Sequence, residues 1–338
     1  MTATVQGPAK KAARPAAAAA VKPAMGPVSP WYLVALGASL LGAAAVFYIC
    51  LFALQGNGRL PPPAFSNSLC VDEKLEYLRA HHTEQPNLLV IGSSVAWRHF
   101  DGEAARKIAP GVKPLNGAFC GLSANQSVFT ANWLLDRNPS VRDVVMIASP
   151  LDFEDCTGKP TAVFDRKDVD GFVYGDASRW PSYTRYFDPI SLARNAGKIA
   201  DQRSGVNKVD PLVFDRYADG PLDNNDYRGL LYGALNRQDP ACFKAMADLS
   251  ARLTKEGRRL MIVATPMRWN WKDVGRNRQF IAEYNARLAA IPGAEFWDGD
   301  SLHMPEAAFF DAVHIRWSTV AGFTEQMARH FHLGEHRG

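Results

Sequence analysis

The sequence predicts an α/β domain built on a parallel β-sheet, behind one N-terminal transmembrane helix. Three short apolar runs, at 87–92, 141–148 and 259–265, are separated by segments with helical spacing. Because these runs do not alternate apolar with polar residues, the strands that they predict are buried on both faces, as in a sheet covered by helices. A further run, at 31–55, contains no charged residue and is long enough to cross a bilayer.

Each remaining element has its own local signal. Short apolar runs predict strands, and apolar residues three and four positions apart predict helices. In chain order they indicate a helix at 72–82, strands at 87–92 and 114–116, a helix at 127–136, a strand at 141–148, a helix at 241–256, a strand at 259–265, a helix at 277–290, a strand at 294–297 and a helix at 319–331. Between 155 and 236 no period is visible, so we expect an irregular insertion that forms a lid or rim.

The chain therefore divides into four parts. Residues 1–30, rich in alanine and proline, are predicted to be a disordered cytoplasmic tail. Residues 31–55 form the anchor, which is too long for the apolar core of an ordinary cleaved signal peptide. Residues 56–83 are a proline-rich linker with a short helix, and residues 84–334 form the globular domain, which includes the insertion.

Charge on either side of the anchor predicts its orientation. Lys11, Arg14 and Lys22 precede the anchor, whereas Arg59 and Lys74 follow it among several acidic residues. The positive-inside rule places the N-terminus in the cytoplasm and the globular domain on the extracytoplasmic, or periplasmic, side of the inner membrane.

Composition argues against nucleic acid and metal as partners. Apart from residues 1–30, which hold four lysines and arginines and no acid, the chain has 34 basic and 34 acidic side chains. This balance predicts no general attraction to nucleic acid. The cysteines after the anchor match no zinc spacing, and they would lie in an oxidising compartment where one or two disulfides are expected, with the pairing left open. They are Cys70, Cys120, Cys156 and Cys242. No cofactor is expected.

A serine follows the first predicted strand of the globular domain. The end of that strand and the turn after it have the sequence Ile-Gly-Ser-Ser, in which Ser94 is the second serine. In an open α/β sheet, functional groups gather at the carboxyl ends of strands. A serine that opens a helix there lies near free N–H groups, which favour a developing oxyanion. The same turn is common as a simple helix cap, so it indicates chemistry only together with a base.

The candidate base lies close to the C-terminus. Asp311 precedes His314 by three residues, after the last predicted strand and before the final helix. A serine hydroxyl is a weak nucleophile until a base removes its proton. Histidine does this near neutral pH, and a carboxylate fixes its tautomer. His303 is an alternative base, and His99 is predicted to be a packed, hydrogen-bonded residue.

These motifs resemble the SGNH (GDSL-like) hydrolase superfamily, which has a three-layer fold around a parallel sheet. Its first block places the nucleophile in a G-D-S turn after the first strand, and Ser94 takes that place here, with Ser93 where the family has aspartate. Asp311 and His314 resemble its last block. The resemblance therefore implies a catalytic triad of Ser94, Asp311 and His314.

The two middle blocks match the superfamily unequally. Residues 115–121 resemble the second block, which implies an oxyanion hole formed by the N–H groups of Gly121 and Ser94. The third block, G-x-N-D, is replaced by Ser-Pro-Leu-Asp-Phe at 149–153. The resemblance therefore assigns no side-chain oxyanion donor at that place.

Further details resemble the DltD family within this superfamily. They are the paired serines, the Ser-Pro after the third strand, the Thr-Pro at 265–266 with Trp269 and Trp271, the His-Ile-Arg-Trp at 314–317, and the N-terminal anchor. DltD proteins act with a membrane-bound O-acyltransferase to place D-alanine on teichoic acids, and related anchored proteins move acetyl groups onto exopolysaccharides.

The resemblance implies a membrane-anchored serine acyltransferase component that transfers an acetyl or D-alanyl group to a cell-envelope or exported polysaccharide. A membrane-bound O-acyltransferase is the expected partner, and a polysaccharide or a teichoic-acid-like polymer is the expected acceptor. Two alternatives remain at this point. One is an extracytoplasmic esterase or deacetylase of the same fold, and the other is a non-catalytic protein that binds a glycan or a membrane partner.

Overall fold

The fold is seen in a computed structural model that describes residues 29–203, 212–222 and 232–335. The predicted cytoplasmic tail lies, apart from its last two residues, outside the described residues. The chain divides into two compact units, Met1–Ala53 and Leu54–Gly338.

The described part of the first unit is helical. Helix α1 (Pro30–Gly56) has 27 residues and contains no acidic or basic side chain. Its most apolar stretch has a mean hydropathy of 2.2 and is not buried. At 1.5 Å per residue, the helix is about 40 Å long. By length and composition it is a candidate to span a membrane.

The second unit contains a five-stranded sheet in which every neighbouring pair of strands is parallel. Its strands run β1 (Leu88–Gly92), β2 (Pro114–Asn116), β3 (Asp143–Ala148), β4 (Arg259–Ala264) and β5 (Ala294–Asp298). Their order across the sheet is β2-β1-β3-β4-β5. The structure confirms the predicted α/β class with a parallel sheet, because each predicted strand is present within two residues of its expected bounds.

Both faces of the sheet are covered. In β1, Leu89 and Ile91 belong to one apolar core, whereas Leu88 and Val90 belong to the core on the other face. All four side chains are fully buried. Such strands carry no polar face, which explains why the sequence shows unbroken apolar runs.

Eleven α-helices follow α1 in the described part of the chain, and several of them cover the two faces of the sheet. They are α2 (Leu69–Ala80), α3 (Ser94–Arg98), α4 (Gly102–Ile108), α5 (Ala124–Arg137), α6 (Arg166–Val173), α7 (Arg179–Arg185), α8 (Pro189–Arg203), α9 (Pro240–Lys255), α10 (Trp269–Lys272), α11 (Asn277–Ala289) and α12 (Trp317–His330). Apolar side chains of α2, α5 and α9 line one core, and those of α3, α4 and α12 line the other. Helix α2, predicted to stand before the globular domain, is thus part of its core.

The insertion at 155–236 differs from the prediction. Its described part is not irregular but contains α6, α7 and α8. The first two have only eight and seven residues, too few for a helical period to stand out. They are fixed by caps and packing: the Asp165 side chain accepts the Asp168 N–H at 3.0 Å, and the Phe172 ring lies 4.8 Å from that of Phe65.

Two disulfides resolve the pairing that the sequence left open. Cys70 pairs with Cys120, and Cys156 pairs with Cys242. The first ties helix α2 to the loop that follows β2, and the second ties the segment after β3 to helix α9. Both therefore restrain loops at the carboxyl edge of the sheet, where the predicted site residues lie.

Candidate functional site

The site begins with a sharp turn at the end of β1. Gly92 has a φ of +139°, and a Cβ placed on it would lie 2.6 Å from the carbonyl oxygen of Ile147. Only glycine fits such a position. The turn makes Ser94 the first residue of α3, with Ser93 as the N-cap. α3 has only five residues, so Ser94 lies among the N–H groups of a first turn that have no partner within the helix.

The three predicted catalytic residues meet in one chain of hydrogen bonds. The Oγ of Ser94 lies 3.0 Å from Nε2 of His314. The Nδ1 of His314 lies 2.9 Å from Oδ2 of Asp311. Asp311 is fully buried and His314 is 5% exposed, whereas Ser94 is partly accessible. A molecule in solution can thus reach the serine, while the base and its carboxylate are shielded.

A tight turn holds the carboxylate and the histidine together. The Oδ1 of Asp311 accepts the N–H groups of Val313 at 3.0 Å and of His314 at 2.9 Å. The N–H of Phe310 donates to the carbonyl of His314 at 2.8 Å, which closes the turn. The three-residue spacing is therefore what lets one carboxylate bind both the backbone and the ring of the same histidine.

Electrostatics keep Asp311 ionised. Burial raises the pKa of Asp311, but the neighbouring His314 and the hydrogen bonds from His314 and Val313 outweigh burial and lower the pKa to about 2. Tyr232 adds another donor, with its hydroxyl 3.2 Å from Oδ2. An ionised Asp311 accepts a hydrogen bond from the Nδ1–H of His314, which leaves the Nε2 lone pair facing Ser94.

The two other histidines considered from the sequence have different environments. His99 is fully buried, accepts the Ile315 N–H on Nε2 at 2.9 Å and has Nδ1 2.8 Å from Oγ1 of Thr265, so it is packed and hydrogen-bonded as predicted. His303 is exposed, and its Nδ1 lies 2.6 Å from the carbonyl of Ser301. The structure therefore places His314 beside Ser94, whereas the ring of His303 is bonded to its own loop.

Gly121 lies in a loop that is attached to the nucleophile turn. The N–H of Phe119 donates to the carbonyl of Gly92 at 3.2 Å, and the adjoining Cys120 is held by its disulfide. Gly121 itself has a φ of +73°. Within the described parts of the chain, neither its N–H nor that of Ser94 donates to a backbone carbonyl outside the regular elements.

The segment that replaces the third block supports the nucleophile turn. Asp152, in a short 3-10 helix (Pro150–Phe153), accepts the Ser93 hydroxyl and the Ser149 N–H on Oδ2, each at 3.0 Å. Burial raises the pKa of Asp152 to about 7, against the opposing effect of these two hydrogen bonds. Asp152 thus supports the turn of Ser93 and Ser94 through Oδ2.

Sequence reasoning missed the roles of Asp152 and Tyr232. A signal for Asp152 was present, because Ser149 and Asp152 have the spacing of a capping box directly after β3. Tyr232 gave no signal, since it lies in the insertion and reaches Asp311 only through the fold.

An exposed tryptophan lies on the segment that follows β4. The N–H of Arg268 donates to the carbonyl of Ala312 at 2.9 Å, so this segment is attached to the turn of Asp311 and His314. Next to Arg268, the Trp269 side chain is 55% exposed, whereas Trp271 is buried. Large apolar side chains this exposed are rare in the described part of the second unit, and Trp269 lies next to the residue that is bonded to the turn of Asp311 and His314.

The arrangement supports proton transfer from a serine to a histidine that is oriented by an ionised carboxylate. Among residues 29–203, 212–222 and 232–335, no group of three or more histidine, cysteine, aspartate or glutamate side chains is arranged to hold a metal ion. No protein-family model matches the chain, and no curated protein matches it in sequence. The function of the protein therefore has to be inferred from the geometry of the site.

The raised pKa of Asp152 predicts how stability changes with pH. A buried carboxyl that resists ionisation destabilises the fold increasingly as the pH rises from its unfolded pKa, near 4, to its folded pKa of about 7. Replacing Asp152 by asparagine removes this penalty and keeps an oxygen for Ser93. Relative to the wild type, the free energy of unfolding of Asp152→Asn should therefore increase by roughly 2–3 kcal/mol between pH 5 and pH 8, measured by urea unfolding in detergent.

The matched control is Asp188→Asn. Asp188 is fully exposed, and hydrogen bonds from Ser191 hold its pKa below the usual range, so it is ionised throughout this interval in both states. Its replacement should give no pH-dependent gain. If the free energy of unfolding of Asp152→Asn differed from that of the wild type by the same amount at pH 5 and pH 8, the raised pKa of Asp152 would be contradicted.

Proposed function

We propose that this protein is a membrane-anchored serine acyltransferase with an SGNH-type domain. The observation that carries the proposal is the contact chain from Ser94 through His314 to Asp311, with distances of 3.0 and 2.9 Å. The parallel five-stranded sheet is compatible with that fold type. We propose further that α1 anchors the domain on the extracytoplasmic side of the membrane.

In the first half-reaction, Nε2 of His314 takes the hydroxyl proton of Ser94 as Oγ attacks the carbonyl carbon of an acyl donor. A tetrahedral intermediate forms and then collapses. The bond between the acyl carbon and the leaving group breaks, the proton passes from His314 to the leaving group, and an acyl ester remains on Ser94.

The N–H groups of Ser94 and Gly121 are the proposed donors to the negative oxygen of that intermediate. The position of Ser94 at the start of α3, the positive φ of Gly121 and the hydrogen bond that ties its loop to the carbonyl of Gly92 support this role. A donor of this kind typically stabilises the transition state by about 3 kcal/mol. Because Asp152 is directed at Ser93, we propose no third donor from the segment after β3.

In the second half-reaction, a hydroxyl group of a cell-envelope or exported polysaccharide takes the place of the leaving group. His314 removes the proton of this hydroxyl as it attacks the acyl-enzyme, the bond to Ser94 breaks, and the proton returns to Oγ. The anchor supports transfer over hydrolysis, since it holds the site at the membrane where a membrane-bound O-acyltransferase could deliver an acetyl or D-alanyl group. The exposed Trp269 is a candidate surface on which a sugar ring of the acceptor stacks.

A serine-directed fluorophosphonate tests the nucleophile. The wild-type protein should become labelled at one site, and Ser94→Ala should lose labelling because the attacking oxygen is absent. Ser93→Ala, which changes the adjacent serine, should still label, as should His303→Gln. His314→Gln should label at least about 1,000-fold more slowly, because residues of a triad act as a unit. Labelling of Ser94→Ala, read by intact mass, would assign the nucleophile elsewhere.

A second experiment separates transfer from hydrolysis. The full-length protein in detergent is given an activated acetyl ester, with and without an acetyl-free polysaccharide. The proposal predicts that acetyl groups appear on the polysaccharide and that the release of free acetate falls correspondingly. Trp269→Ala should lower transfer and leave acceptor-free hydrolysis unchanged. If free acetate forms at the same rate in the presence of the acceptor, the protein is an esterase.

A further inference from the structure

The short helix α3 carries a group of the site at each end. Ser94 is its first residue, and His99 is the residue that caps its C-terminus, with the His99 N–H donating to the carbonyl of Val95 at 2.9 Å. The two side chains contact adjacent residues of the same segment. Ser94 meets the ring of His314, and His99 meets the backbone N–H of Ile315, the next residue.

The hydrogen bonds of His99 determine its tautomer. Because the Ile315 N–H can only donate, Nε2 of His99 has to accept and carries no proton. In the neutral ring the proton is then on Nδ1, where it donates to Oγ1 of Thr265 at 2.8 Å. Thr265 directly follows β4, and its own N–H donates to the carbonyl of Ala148 at the end of β3. His99 is thereby fixed to the sheet on one side and to the catalytic turn on the other.

The surroundings of His99 support a neutral ring. It is fully buried, with the rings of His314 and Phe323 edge-on to it at 5.9 and 6.3 Å. Burial, followed by the nearby His314, lowers its pKa well below the usual range, with Arg98 acting in the same direction and Asp311 opposing it. A neutral His99 adds no charge that would oppose protonation of His314 during the reaction.

We propose that His99 is a positioning residue, which sets the distance between Ser94 and His314 by holding the Ile315 N–H through Nε2 and Thr265 through Nδ1. The inference rests on the proposed serine chemistry, but the geometry that it concerns exists without turnover. His99 does not contact the reacting atoms, because its Nε2 is occupied by the backbone. Its action is therefore to fix the backbone that carries the base.

The test uses four variants of the full-length protein in detergent. His99→Phe keeps a ring of similar size and removes both hydrogen bonds, whereas His99→Gln keeps an oxygen that can accept the Ile315 N–H. Thr265→Val removes the acceptor of the Nδ1 proton. Thr324→Val is its matched control. Thr324 is equally buried, but its Oγ1 accepts the N–H of Asp101, at 3.0 Å, instead of a proton from His99.

The first readout is the rate of fluorophosphonate labelling, separated into a maximal rate and a half-saturating concentration. Loss of alignment should lower the maximal rate of His99→Phe by roughly 100-fold and leave the half-saturating concentration unchanged, because misplacing a catalytic group by about 1 Å costs that much. His99→Gln should recover part of the loss. Thr265→Val should be slowed by about tenfold, and Thr324→Val should label like the wild type even if both valine variants lose similar stability in urea.

The second readout does not need a reaction. The proton between Nδ1 of His314 and Asp311 should give a downfield NMR signal that is protected from exchange, identified by its loss in His314→Gln. This signal should broaden or vanish in His99→Phe and persist in Thr324→Val. If the wild type fails to label, the proposed function fails, and the NMR signal still decides the role of His99. A maximal labelling rate and a proton signal that both remain unchanged in His99→Phe would overturn the inference.

Discussion

The hydrogen bond between Ser94 and His314 is the interaction on which the candidate site depends. It joins residues 220 positions apart, and each of them lies on a short segment with little structure of its own. Bringing such segments together costs conformational entropy, which the surrounding fold has to offset. The parallel sheet contributes to this by placing at one edge the carboxyl end of β1, which Ser94 follows, and the carboxyl end of β5, which precedes the segment that carries His314.

Local contacts then restrain each partner of that bond. Gly92 permits the turn that presents Ser94, and a side chain at that position would collide with β3. On the other side, Asp311 binds both the backbone and the ring of His314. His99 connects the two sides through the backbone N–H of Ile315. A nucleophile and a base held in this way are aligned before any substrate arrives, which is the condition for efficient catalysis by positioned groups.

The pKa values of two buried carboxyl groups near the site are shifted in opposite directions. Asp311 receives hydrogen bonds from two backbone N–H groups, from a histidine ring and from Tyr232, and its pKa falls to about 2. Asp152 receives one from a backbone N–H and one from Ser93, and burial raises its pKa to about 7. Burial acts in the same direction on both, so the number and charge of their donors decide the outcome. The ionised group orients the base, and the more neutral group supports the turn of the nucleophile without adding full negative charge beside it.

The sequence was sufficient for the sheet and for the residues of the contact chain. Apolar runs marked the strands because strands covered on both faces have no polar side, and the D-x-x-H spacing paired Asp311 with His314 because three residues suffice for one tight turn. The insertion was predicted wrongly as irregular, since its short helices are fixed by caps such as Asp165 and by packing against Phe65 from a distant segment. The contacts of Tyr232 and the disulfide pairing could not be predicted, because they join residues that only the tertiary fold brings together.

The most direct measurement of the central claim is the identification of a covalent acyl intermediate. The full-length protein is mixed with an activated acetyl ester, quenched in acid within the first turnover, digested and mapped by mass spectrometry. We expect an acetyl group on Ser94 in the wild type, and none on this residue in His314→Gln over the same time. Turnover of the ester with an acetyl group on another residue, or with no covalent acyl group on the protein at any time, would contradict the proposed serine chemistry.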